Sequence, residues 1–82
     1  MNRLVMILDD ACAICTELKP RASAFASFHQ LRYIEYRTSE EESYNYDING
    51  IPYFILENAE GAIISKGGGG LGLTTIEKQL QE

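Results

Sequence analysis

Leu4-Val5-Met6-Ile7-Leu8-Asp9-Asp10-Ala11-Cys12-Ala13-Ile14-Cys15 runs an apolar segment directly into two cysteines, and the stretch behind them changes period. Leu4–Leu8 is short, continuous and partly β-branched, which suits a strand buried on both faces beneath covering helices. From Ala13 onward, Ile14, Leu18, Ala22, Phe25 and Phe28 recur at steps of three or four, with Glu17, Lys19, Arg21 and Ser23 between them. That spacing predicts an amphipathic helix of about four turns that buries those five residues. Pro20 falls inside it, where it should kink the helix and free one backbone carbonyl.

Leu31-Arg32-Tyr33-Ile34-Glu35-Tyr36 reads as a second strand, rich in aromatic and branched side chains. Strand, helix and strand in so short a span form a βαβ unit, so these two strands should be parallel with a right-handed crossover. Ser39 with Glu42 three residues on has the form of a capping box and predicts a short helix to about Tyr46. Tyr53–Leu56 is a third strand, Asn58–Gly61 a turn and Ala62–Ser65 a fourth strand, close enough for an antiparallel hairpin. Gly67–Gly70 and Gly72 interrupt the pattern, after which Thr74 with Glu77 should cap a last short helix carrying Ile76 and Leu80. The order βαβ(α)ββα defines an α/β fold with a four-stranded mixed sheet flanked by helices, in one domain over residues 1–82.

Composition narrows the function classes. The chain has 12 acidic and 7 basic residues, a net charge of −5, and no cluster of lysine or arginine. Nucleic acid and anionic membranes are therefore poor partners. The longest apolar run is Leu4–Leu8, far short of the roughly 20 residues of a membrane helix. It is also too short for a signal-peptide core, and Asp9-Asp10 stands where a cleavage site would be. The chain is read as cytoplasmic, where thiols stay reduced and structural disulfides are rare. Two cysteines and a distant His29 cannot close a four-ligand zinc site within one chain.

The spacing of the cysteines points to redox chemistry. Cys12 lies where the unpaired N–H groups and positive dipole end of the helix favour an anion. Its thiolate, the attacking species, is thereby promoted. Cys15 follows three residues on, about one turn away on the same face, from where it can resolve a mixed disulfide. The plain alternatives are two unrelated core cysteines or a metal shared between chains. Pro52 begins a strand, where a missing N–H is tolerated. If the Ile51–Pro52 bond is cis, a backbone edge turns toward the thiols.

These residues carry a resemblance. Cys12-Ala13-Ile14-Cys15-Thr16-Glu17-Leu18-Lys19-Pro20 is similar to the active-site helix of thioredoxins, and Gly50-Ile51-Pro52 to the thioredoxin stretch that ends in a cis-proline abutting the disulfide. The likeness continues through strand, turn, strand, glycine and final helix, so it spans nearly the whole chain. It implies the thioredoxin fold, with Cys12 as nucleophile and Cys15 as resolving thiol. It further implies a substrate-binding edge at Ile51, Pro52 and Tyr53, with Gly67 and Gly68 beside it. The activity implied is reduction of disulfide-containing proteins by a monomer without a tightly bound cofactor, its electrons returned by a reductase or a low-molecular-weight thiol. The alternatives are a glutaredoxin-like, glutathione-dependent reductase, and a non-catalytic interaction or redox-sensing module of the same fold.

Several positions depart from the family pattern. Ala13-Ile14 stands between the thiols where thioredoxins typically have Gly-Pro, and there is no tryptophan. Met6 occupies the place, six residues before Cys12, of a buried aspartate that assists proton transfer to the resolving thiol. Asp9 or Asp10 could serve instead through water. Negative charge beside Cys12 also opposes thiolate formation, which favours a reducing over an oxidising role. The glycine run admits a glutathione-binding turn, a groove-lining turn or a plain flexible loop, and no lysine or arginine is expected near the thiols to take a glutathione carboxylate.

Overall fold

The computed structural model describes residues 1–81. The elements are β1 (Arg3–Leu8), α1 (Ala13–Phe28), β2 (Arg32–Arg37), a 3-10 helix (Glu41–Asn45), β3 (Tyr53–Glu57), β4 (Ile63–Gly68), a 3-10 turn (Gly69–Leu71) and α2 (Gly72–Leu80). They build one four-stranded sheet in the order β2-β1-β3-β4. β1 pairs parallel with β2, from Arg3 opposite Arg32 to Leu8 opposite Arg37, and antiparallel with β3. β3 and β4 form the expected antiparallel hairpin, with an irregularity between Leu56 and Glu57. The most apolar strand thus lies inside the sheet, with both of its hydrogen-bonding edges satisfied.

Alternation along β1 and β3 divides the core in two. Leu4, Met6, Leu8, Phe54 and Leu56 pack with Cys15, Leu18, Ala22 and Ala26 of α1 and with Leu73 and Ile76 of α2. Both α-helices therefore cover the same face. On the other face Val5, Ile7 and Ile55 are buried beneath Ile34, Tyr36, Tyr46, Ile48, Ile51 and Tyr53. The tyrosines do the work of a third helix there. Tyr36 and Tyr46 stack at 6.5 Å between ring centroids, and the Tyr46 hydroxyl donates to Glu57 Oε2 at 2.9 Å. Glu57 is itself buried and is paired with Arg3 at 2.9 Å. A buried carboxylate is tolerable only when so satisfied.

Three local expectations are corrected. The buried face of α1 is Cys15, Leu18, Ala22 and Ala26, with Phe25 half-buried, while Ile14 is 57% and Phe28 82% exposed. Cys15 fixes this phase: once it points inward, Ile14 is rotated about 100° away. Neither predicted capping box forms. The 3-10 helix starts after Glu40 and α2 after Leu71, both without a side-chain cap hydrogen bond. Instead Ser43 bonds the Thr38 and Glu40 carbonyls, and Thr75 bonds back to the Leu71 carbonyl. Finally, β4 continues through Gly67 and Gly68, so the glycine run begins inside the strand.

That continuation brings β4 into close packing with α2. A Cβ on Gly72 would come within 2.6 Å of the Gly67 carbonyl oxygen and 2.7 Å of the Phe54 ring. Gly72→Ala should therefore destabilise the fold by about 1–3 kcal/mol, read from urea denaturation, because neither backbone nor buried ring can yield cheaply. A second prediction concerns Tyr46, whose pKa is pushed up to about 12, first by burial and then by its hydrogen bond to Glu57. The unfolded chain ionises this tyrosine near pH 10, whereas the folded chain keeps the proton. Stability is thus fully present below about pH 10 and falls as pH rises toward 12. Tyr46→Phe should flatten that fall in denaturation midpoints measured across this window.

Candidate active site

Cys12 is the N-cap of α1, with extended backbone at φ −89° and ψ 109°. Its own N–H donates to the Asp9 carbonyl at 3.2 Å, and its carbonyl accepts from the Thr16 N–H at 3.1 Å and the Thr16 hydroxyl at 3.2 Å. Its sulfur accepts the Cys15 backbone N–H at 3.1 Å. A sulfur thus fills the capping role usually taken by a serine, threonine or aspartate oxygen. Cys12 and Cys15 are joined in a disulfide, their Cα atoms 5.2 Å apart. Cys15 is fully buried, while Cys12 is half-buried at the edge of the same core cluster. One sulfur-bearing residue is partly open to solvent and the other is not. After reduction the Cys12 thiolate would keep the Cys15 amide and the helix dipole as stabilising neighbours.

The remaining predicted residues fall at the same end of the sheet. Leu8, the last residue of β1, leads into the cysteine loop, and β3 opens at that end with Tyr53 directly after Ile51–Pro52. The Ile51–Pro52 peptide is cis. Pro52 is buried, and its carbonyl accepts the Gly69 N–H at 2.8 Å, which ties the glycine turn to this loop. Ile51 is half-buried and packs on both core clusters. Gly67 is pressed against Gly72 of α2, whereas Gly68 lies on Tyr53, whose ring a Cβ there would approach to 3.1 Å. Tyr53 belongs to the face opposite α1, so it supports Gly68 instead of lining the helix side of the site.

The aspartates beside the cysteines are engaged. Asp9 accepts a short hydrogen bond from the Thr38 hydroxyl, and Asp10, 78% exposed on its side chain, pairs with Arg37 at 3.2 Å. A polar chain that was not foreseen lies beside Met6. Tyr33 Oη is 3.3 Å from Met6 Sδ and 2.7 Å from Glu35 Oε2. Its single proton goes to the nearer, charged acceptor. Burial and then Glu35 push the Tyr33 pKa well above the usual tyrosine range, so the hydroxyl stays protonated. Glu35 also pairs with Arg37 at 3.5 Å and with Lys19 of α1 at 3.7 Å. Alternation along the second strand, apolar Ile34 between polar Tyr33 and Glu35, was the available signal. Two exposed apolar residues near the site were also missed, Ile14 and the 75%-exposed Leu71. Among the described residues no group of His, Cys, Asp and Glu side chains is arranged to hold a metal ion, and no helix is long and apolar enough to cross a membrane.

No protein-family profile and no curated protein matches the chain. Solved structures do. Thioredoxin 1 from Thermosipho africanus superposes with a TM-score of 0.77 at 19% identity, over 96% of this chain and 94% of that one. A thioredoxin variant from Halobacterium salinarum gives 0.80 at 17% identity, over 98% and 72%. An uncharacterised thioredoxin-like protein from Clostridium perfringens gives 0.74 at 25% identity, over 99% and 69%. The fold is the thioredoxin fold.

Differential burial of the two sulfurs predicts their reactivity. After reduction, iodoacetamide should label Cys12 in the native protein and leave Cys15 untouched until denaturant is added, as read by peptide mass spectrometry. Equal native labelling of both would contradict the geometry.

Proposed function

We propose that the chain is a thiol–disulfide oxidoreductase that reduces disulfides in proteins. The observation that carries this is the Cys12–Cys15 disulfide at the α1 N-terminus, with Cys12 accessible and Cys15 buried behind it. In the reduced state the Cys12 thiolate attacks a substrate disulfide and forms a mixed disulfide, and the departing substrate thiolate takes up a proton. Cys15, deprotonated, then attacks the Cys12 sulfur. The second substrate thiolate leaves, and two electrons have passed from the dithiol to the substrate. The Cys12–Cys15 bond is restored to its dithiol form by a reductase or a low-molecular-weight thiol. Ile51, Pro52, Gly67 and Gly68 form the substrate-binding edge in this reading, and Tyr53 holds Gly68 in place. The protein works as a monomer in the cytoplasm, where a reducing thiol pool sustains the cycle.

The test is reduction of insulin by dithiothreitol, followed by turbidity. Wild-type protein should accelerate precipitation, and Cys12→Ser should abolish the acceleration. Cys15→Ser should stop turnover while trapping a mixed disulfide on Cys12, visible by mass. If wild type and Cys12→Ser are equally inert, the redox reading fails and a non-catalytic docking role takes its place.

A further inference from the structure

The distribution of charge around the disulfide names a class of substrate. We propose that the proteins reduced here present their disulfides on cationic segments, an inference that rests on the reductase reading above.

The chain's seven cations are placed away from the site or are already paired. Arg3, Lys19 and Arg37 are engaged by Glu57, Glu35 and Asp10. Arg32 opens β2 opposite Arg3, at the far end of the sheet from the cysteines. Lys66 lies opposite Ile55, midway along β3. Lys78 sits in the last turn of α2. Arg21 is on α1 six residues beyond Cys15, about 9 Å further along the helix axis.

Carboxylates are distributed in the opposite sense. Asp9 precedes Cys12 in its loop, and Glu17 is exposed two residues past Cys15. Glu40, Glu41, Glu42 and Asp47 belong to the segment that leaves β2 at the cysteine end and returns there at Pro52. Against these stands Arg37, which is committed to Asp10 and Glu35. Two large apolar side chains, Ile14 and Leu71, are exposed here as well. A partner that buries them brings its own charges close to this acidic surround, where the field acts on encounter rate and orientation. A basic segment is drawn in, and an anionic disulfide is repelled.

The experiment compares two disulfide-bonded peptides of the same sequence, one with lysine and the other with glutamate beside the cysteines. Each is reduced in a single turnover by the pre-reduced protein, and each rate is divided by the rate for dithiothreitol with the same peptide. That ratio removes the intrinsic effect of peptide charge on thiolate attack. At low ionic strength the lysine peptide should be favoured about tenfold or more, and the preference should shrink as salt is raised toward 0.5 M. The double variant Glu41→Lys/Glu42→Lys, at two exposed positions outside the redox machinery, should reduce the preference while insulin reduction persists. Equal normalised rates at low salt, or a faster glutamate peptide, would overturn the charge proposal and leave the reductase reading intact. If the protein reduces neither peptide, the reductase reading falls and the charge proposal with it.

Discussion

Everything in this fold that bears on chemistry depends on Cys15 being buried at the start of α1. Because a helix advances about 100° per residue, fixing that one side chain against Met6 and Leu8 sets the phase of the whole helix. Leu18, Ala22 and Ala26 follow it inward. Cys12, three residues earlier, is then brought to the helix edge, near enough to bond Cys15 yet still partly open. The same phase turns Ile14 outward beside the disulfide. In the proposed reaction, the difference between an attacking and a resolving thiol is thus a difference of burial imposed by helical geometry.

The sheet beneath that helix is covered unevenly. α1 and α2 share one face, and their packing is close enough that α2 begins with a glycine wedged between Gly67 and Phe54. Among the described residues the opposite face has no α-helix, only a 3-10 helix and an irregular return segment. Its cover is Ile34, Ile48 and Ile51 together with Tyr36, Tyr46 and Tyr53 packed on Val5, Ile7 and Ile55, and the Tyr46 hydroxyl reaches Glu57. Three of the five tyrosines, Tyr36, Tyr46 and Tyr53, serve this face.

Most of the architecture was legible in the sequence because it is written in period. A continuous apolar run, a switch to helical spacing and two later runs around an Asn-Gly turn specify the strands, α1 and their order. Cys12, Cys15 and Pro52 could be picked out because each residue type is chemically distinct and correctly spaced. What could not be read depended on tertiary contact. Ser39 and Thr74 had capping partners at the right spacing, but the backbone enters both helices elsewhere. Ile14 and Phe28 matched the apolar period as well as Cys15 and Ala26, and only the sheet decides between the two stripes. The extension of β4 into glycine follows from pairing with Tyr53 and Phe54, which no local propensity encodes.

The position of Met6 raises the question of how a buried Cys15 loses its proton, since a thioether cannot accept one. Asp9 and Asp10 are held by Thr38 and Arg37, on the loop side of the cysteines. The polar chain on the helix-bearing face runs differently. Met6 is in register with Glu35 on the adjacent strand, and Glu35 reaches Lys19, one helical turn below Cys15. Tyr33, held protonated, closes the chain against the Met6 sulfur. The carboxylate on this face thus stands one strand away from Met6, outside the core and in a partly solvated ion-pair network. Such a network screens its charge more than a single buried aspartate would. The local electrostatics of the dithiol then rest chiefly on backbone: the Cys15 amide on the Cys12 sulfur, and the dipole of the helix that both cysteines open.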